Sequence, residues 1–214
     1  MVKSTPGRPI DPDKDRDILA AGRKLLFGKG PQAVTMESVA RAAGVAKPTL
    51  YRRYANRDQL LAAIAKAEAE SMAARFTRVP DSAEHLREAL LHFALDFGQF
   101  LLSQEHIAFI HALGQATGLP RSARESIYRN GPLQTHSLLA GFLTEAAERG
   151  LICCPQPKVS AERFLGMLMG LDLVRTLYHV AASAGASEMK SRAAAVVDDF
   201  LKLHRPEPGL AEPD

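Results

Sequence analysis

Apolar residues recur at steps of three and four along nearly the whole chain, and alternating β-branched runs are missing. This pattern predicts helices and almost no strand: an all-α fold of about nine helices. Glycine and proline set the boundaries. A first helix is expected from Lys14 to Phe27, burying Ile18, Ala21, Leu25 and Leu26 and ending at Gly28 and Gly30. Short helices follow Thr35 and Ala46. A fourth, Arg57–Thr77, starts behind the N-cap Asn56 and carries Leu60, Leu61, Ile64 and Ala67.

Pro80 breaks the chain, and Asp81-Ser-Ala-Glu84 resembles a capping box with Asp81 in the capping place. Leu86, Leu90, Phe93, Phe97 and Phe100/Leu101 then form one apolar stripe. Further helices are expected over Gln104–Ala116, Arg121–Arg129, Leu133–Arg149, Val159–Ala182 and Ser187–His204. Residues 1–12 hold three prolines and read as a flexible arm, and 205–214 as a disordered tail.

Charge is unevenly spread. Residues 1–60 carry twelve Lys/Arg against six Asp/Glu, whereas the remainder carries fifteen against eighteen. A basic first quarter fits either an end that meets a polyanion or an uneven solvated surface. At 46% hydrophobic residues the chain can fill a core without disulfides. Its two cysteines, Cys153 and Cys154, are adjacent and cannot staple distant segments, which fits a reducing compartment. They read as an inert loop pair or, less simply, as a sensor of thiol oxidants. No membrane-spanning run and no signal-peptide core is visible, so no membrane partner and a cytoplasmic location are expected.

The segment Thr35–Tyr54 carries the strongest functional signal. Thr35 can cap a short helix whose small apolar face is Val39, Ala40 and Ala43. Gly44 supplies a turn and Val45 a plug between two helices. Pro48 falls in the first turn of the second helix, where backbone N–H groups have no helical partner. That helix is expected to present Lys47, Thr49, Arg52 and Arg53 outward and Leu50 inward, with Tyr51 and Tyr54 three apart. Short polar groups flanked by cations and phenols suit a recognition helix of a helix-turn-helix unit. An ordinary αα-hairpin with a basic face has the same outline.

Residues Asp15 to Leu61 resemble the N-terminal domain of TetR-family transcriptional regulators. The resemblance lies in Ile18-Leu-Ala-Ala21, Leu26-Phe27, Gly30, Thr35-Met36, Val39-Ala40, Ala43-Gly44-Val45, Lys47-Pro-Thr-Leu-Tyr51, Tyr54 and Asp58-Gln-Leu60. It implies that the helix after Gly44 enters the DNA major groove. Lys47, Pro48 and Thr49 would then lie at bases or flanking phosphates, with Arg52 beside them. Tyr51, Tyr54, Thr35 and Arg57 would meet the backbone. Ala46 departs from the Ser or Thr usual at that N-cap. Arg8, in Gly7-Arg-Pro9, sits either in an arm laid along the minor groove or in a terminus that only aids solubility.

Residues 81–204 more weakly resemble the effector and dimerisation domain of the AefR-like branch. The expected organisation is an arm over 1–12, a DNA-binding domain over 13–60, an effector and dimer domain over 61–204, and a tail over 205–214. A homodimer interface is expected on Phe164, Leu168, Leu171, Val196, Val197 and Phe200, with Gly166 and Gly170 allowing close approach. Some of these faces must instead fill the monomer core. Phe93, Phe97, Phe100, Phe109, Phe142, Met167, Met169 and Tyr178, with His106, His111, His136, Asp172, Arg175 and His179 as polar handles, form the expected site for a small apolar or aromatic effector. Core packing is the simpler role for each aromatic.

Catalytic signatures are missing from the sequence. Gly28-Lys-Gly30 lacks the spacing of a phosphate loop, and no His-Glu-x-x-His, Gly-x-Ser-x-Gly or Cys-x-x-Cys pattern occurs. No catalytic residue, metal or cofactor is expected. The expected partner is a double-stranded DNA operator, bound by a repressor that a ligand releases. The alternative is an all-helical enzyme or ligand-binding scaffold without specific DNA binding.

Overall fold

The computed structural model describes residues 12–76, 80–115, 119–180 and 186–206, and every regular element among them is helical. The N-terminal helices are α1 (Pro12–Lys29), α2 (Met36–Ala42), α3 (Lys47–Arg53) and α4 (Arg57–Met72). Behind them come α5 (Ala83–Leu101), α6 (Gln104–Gln115), α7 (Arg121–Asn130) and α8 (Pro132–Glu148). The chain ends with α9 (Pro157–Met169), α10 (Asp172–Leu177) and α11 (Ala186–Leu203). Proline stands in the first turn of α3, α8 and α9, where its missing N–H costs nothing.

Two apolar cores organise these helices. The first joins Ile18, Leu26 and Phe27 of α1 to Val39, Leu50, Leu60, Leu61 and Ile64. Phe109 of α6 and Ala123 and Ile127 of α7 complete it. The DNA-binding unit expected over 13–60 therefore shares a wall with the helices behind it. The second core packs α5 against α11 and α8 against α9, around Leu90, Phe93, Leu139, Phe142, Phe164 and Phe200. Phe76 stacks on Phe142 with ring centroids 4.4 Å apart.

The structure corrects the expected helix pattern in three places. The helix expected over Val159–Ala182 is broken, because Gly170 turns the backbone to φ +49° between α9 and α10. Glycine takes that left-handed conformation without a Cβ clash. The α5 cap is Ser82, which accepts from His85 N–H at 3.1 Å, whereas Asp81 pairs with the His85 ring. The fourth helix ends at Met72 and tightens into a 3₁₀ turn over Ala73–Phe76. Arg8 and the rest of the arm before Pro12 lie outside the described residues.

Candidate nucleic-acid interface

Local chemistry fixes α2 first. Thr35 Oγ1 accepts from the Ser38 backbone N–H at 3.0 Å, and Ser38 Oγ accepts from the Thr35 N–H at 2.9 Å. This reciprocal capping box satisfies two donors that the helix itself leaves free. Ser38 Oγ also donates to the Ala33 carbonyl at 2.6 Å, so the box is anchored to the preceding turn. Gly44, at φ +64°, makes the turn into α3. Ala46 occupies the α3 N-cap with no side-chain hydrogen bond, as its methyl group dictates.

α3 is held from beneath. Leu50 is fully buried between the helices. Arg53, expected to face outward, is a correction: its side chain is only 4% exposed and its Nη1 lies 2.6 Å from Asp15 Oδ2 on α1. The cause is spacing, since Arg53 falls three residues after Leu50 and so shares its inward face. Tyr54 Oη donates to Asp15 Oδ1 at 3.4 Å. Burial first, and then the Asp15 charge, raise the Tyr54 phenol above its ordinary pKa.

The outer face remains open. Lys47, Pro48, Tyr51 and Arg52 are exposed, and Thr49 is half-buried beside them. Lys47 Nζ lies 2.6 Å from Glu37 Oε1 on α2. The hydrogen bond from Lys47, reinforced by its charge, holds the Glu37 carboxyl below the usual range. An exposed pair of this kind is weak and leaves the ammonium available to a phosphate. Exposed Arg41, at the end of α2, adds a cation that sequence reasoning passed over.

Arg57 has a different occupation from the phosphate contact expected of it. Its Nε donates to the Val34 carbonyl and its Nη2 to the Pro31 carbonyl, both at 2.7 Å. It braces the turn that carries Thr35. Two further clamps have no signature in periodicity. Arg23 of α1 bonds Glu68 of α4 through Nε at 2.6 Å, and its Nη1 reaches Glu105 of α6 at 3.5 Å. Its guanidinium also lies 5.1 Å from the Phe27 ring centroid.

Most of the residues expected to hold an effector do not converge; only His106, Met169 and Asp172 line one cavity. Phe93 and Phe97 are buried in the second core, and Phe109 belongs to the first. His136 Nε2 contacts the Lys158 carbonyl at 2.8 Å. Met167 packs against the second core near Arg163 and Leu203, and Tyr178 is 77% exposed. Asp172 is buried and bonded to Arg175 Nη1 at 2.9 Å and Arg192 Nη1 at 2.5 Å.

Most residues expected at a dimer interface are core residues instead. Phe164, Leu168, Val196, Val197 and Phe200 pack inside the second core, because α9 and α11 turn these faces toward α5 and α8. Leu171 alone of that set is exposed. Cys154 is buried in the same core and Cys153 is exposed. Among the described residues no group of three His, Cys, Asp or Glu is placed to hold a metal, and no helix is long and apolar enough to cross a membrane.

Comparison with known proteins agrees with this geometry. Residues 18–64 match the family of bacterial regulatory proteins of the tetR type, and residues 88–206 match the C-terminal domain of AefR-like transcriptional repressors. The HTH-type transcriptional regulator YdeS of Bacillus subtilis (strain 168) is 31% identical over 150 residues, 70% of this chain and 72% of that protein. A TetR transcriptional regulator from Agrobacterium tumefaciens superposes with a TM-score of 0.70 at 26% identity, over 92% of this chain and 97% of that one. The flavonoid-responsive regulator FrrA superposes with a TM-score of 0.65 at 27% identity, over 92% of this chain and all of that one. With both halves matched and the α2–turn–α3 unit formed, the chain belongs to the TetR family and is a DNA-binding transcriptional regulator.

Proposed function

We propose that this regulator is a repressor that holds a palindromic or near-palindromic operator as a homodimer and lets go when a small apolar or aromatic molecule enters its C-terminal half. The observation that carries the reading is the presentation of α3: Lys47, Pro48, Tyr51 and Arg52 stand exposed on a helix locked by Leu50 and by the Arg53–Asp15 pair. A dimer with recognition helices ~34–36 Å apart, or at an expanded multiple, would read successive major grooves. In this reading Thr49 and Pro48 meet base edges, and Lys47, Tyr51 and Arg52 meet phosphates. Thr35 and Tyr54 border the phosphate path, and Arg8 extends it into the minor groove.

The effector class draws support from FrrA, described as flavonoid-responsive. A second copy would seat on the exposed apolar residues around α10, including Leu171, Val174, Leu177 and Tyr178. Such a regulator works in the cytoplasm, where the DNA is. The enzyme or scaffold alternative has no support from the family.

The test is a mobility-shift assay on the DNA flanking the coding region. Specific, salt-sensitive binding with two protomers per site is expected. Binding that ignored sequence would overturn the reading.

A further inference from the structure

A cavity opens where α5, α6, α9, α10 and α11 meet, with Gly98, Leu102, His106, Ile110, Asp172 and Met189 in its wall. It encloses about 400 Å³ of empty space including its mouth. Its interior has room for little more than one water. The wall is largely apolar, and three polar side chains interrupt it: Thr176, whose hydroxyl donates to the Asp172 carbonyl at 2.9 Å, Asp172 and His106. Asp172 is buried, but Arg175 and Arg192 answer its charge. His106 has no such match: its Nδ1 is buried without a hydrogen-bond partner among the described residues. Its backbone N–H donates to Ser103 Oγ at 3.1 Å, so the unmatched polar atom is in the ring.

The same ring touches the DNA-binding core. Its centroid lies 4.5 Å from Phe100, 6.1 Å from Phe109 and 6.3 Å from Phe27 of α1. Phe27 lies beneath Arg23, whose bonds to Glu68 and Glu105 tie α1 to α4 and α6. His106 therefore lines the cavity and also packs against the helix that supports α3.

We infer that this cavity is the effector site, that the effector is a compact neutral apolar molecule bearing a hydroxyl, and that His106 binds the hydroxyl and transmits occupancy to α1 through Phe27. This rests on the ligand-responsive reading above. Neutrality follows from the wall, whose one charged side chain, Asp172, is already held by Arg175 and Arg192. Burial lowers the His106 pKa from 6.5 to about 4, so the ring is uncharged at neutral pH. A hydroxyl both donates and accepts, and so pairs with Nδ1 in either tautomer. Entry requires the cavity to widen. The Met189 thioether lies directly against Gly98, in the place a side chain there would need. Methionine is the flexible side chain best able to yield that place. A ligand that shifts the His106 ring must displace Phe27 or give up the packing between them, which couples occupancy to the position of α1.

The experiment compares 4-propylphenol with propylbenzene, which differ by the hydroxyl alone. Calorimetry on the wild-type chain should show the phenol binding about tenfold tighter or more. The imidazole ¹⁵N signals of His106 should move with the phenol and stay still with propylbenzene. In His106→Phe the preference should fall to about twofold or less, because the ring packing is kept and Nδ1 is lost. Leu102→Trp, at a half-buried wall position, should weaken both compounds about tenfold or more by filling the cavity. Equal affinity in the wild type, a preference that survives His106→Phe, or a Leu102→Trp variant that binds normally would each overturn the inference. Operator binding by the ligand-free chain is measured first. If it is absent, the regulator reading fails. If it is present and the phenol neither binds nor releases DNA, only the effector assignment fails.

Discussion

Arg53 of the recognition helix and Asp15 of α1 are joined at 2.6 Å, with the Arg53 side chain 4% exposed and Asp15 38% exposed. The pair sets the roll of α3 about its axis, and so decides which side chains reach DNA. Removing a partner from a buried pair is costly because the other charge stays behind. Partial exposure of Asp15 lowers that cost. Asp15→Asn should destabilise the chain by about 1–2 kcal/mol and weaken operator binding without touching DNA. Thermal denaturation and mobility shift check this. Unchanged melting together with unchanged affinity would rule it out.

The Glu37–Lys47 pair has the opposite character, since both side chains are exposed. It sets a carboxylate beside the surface that must accept phosphates. Glu37→Gln should release Lys47, tighten binding to all DNA sequences and steepen the salt dependence by about one counterion. Affinity titrations at several salt concentrations provide the measurement. A shift confined to one operator sequence would instead make Glu37 a base reader.

Three substitutions separate the roles around α3. Tyr51→Phe should weaken binding uniformly across sequences, because a hydroxyl on phosphate carries no base information. Thr49→Ala should change preference at one operator position. Arg57→Ala should lower stability by about 1–2 kcal/mol, because it leaves the Val34 and Pro31 carbonyls without their donor. Its salt slope should stay near that of the wild type, which tells bracing from a phosphate contact. A slope flattened by about one would restore the direct contact.

His106 gives a pH signature. Its folded pKa, about 4, lies below the 6.5 of the free side chain, so between those values the unfolded chain binds the proton and the folded chain does not. Its contribution is present above pH 6.5 and is lost as pH falls toward 4. Relative to His106→Phe, the wild type should lose about 2 kcal/mol of stability between pH 6.5 and 5. Denaturant titrations of both proteins at the two pH values measure it. A constant difference would mean that the imidazole reaches solvent.

The α2–turn–α3 unit was legible because its causes are local: Thr35 caps, Gly44 turns and Pro48 starts a helix whatever surrounds them, whereas the break at Gly170 and the Ser82 cap were not read. Arg53 was misjudged because charge suggested solvent while its spacing from Leu50 pointed inward. Arg57 and Lys47 were seen as cations, but their partners lie 23 and 10 residues away, beyond any helical period. The proposed effector site is harder still. Phe93, Phe97 and Phe109 have the composition of a pocket and the positions of a core, and only tertiary packing decides between the two. His106 stood among several histidines, and nothing in sequence marks one ring nitrogen as buried and unpaired.

The same ambiguity governs the proposed dimer surface. Phe164, Phe200 and Val197 are wholly buried within one chain, whereas Val174 is 46% and Leu177 59% exposed on neighbouring turns of α10. A charge at an exposed position costs the monomer little, but it is stranded once a second copy covers it. Val174→Glu combined with Leu177→Glu should therefore leave the melting of the isolated chain within about 1 kcal/mol and convert the dimer to a monomer by sedimentation velocity. Losing one of two linked recognition helices should then lower operator affinity about 100-fold or more. Phe164→Ala should do the reverse: it empties core volume, destabilises the chain by about 3–5 kcal/mol, and has no direct contact with a partner to lose. A dimer that survives both glutamates would place the interface elsewhere on the C-terminal half.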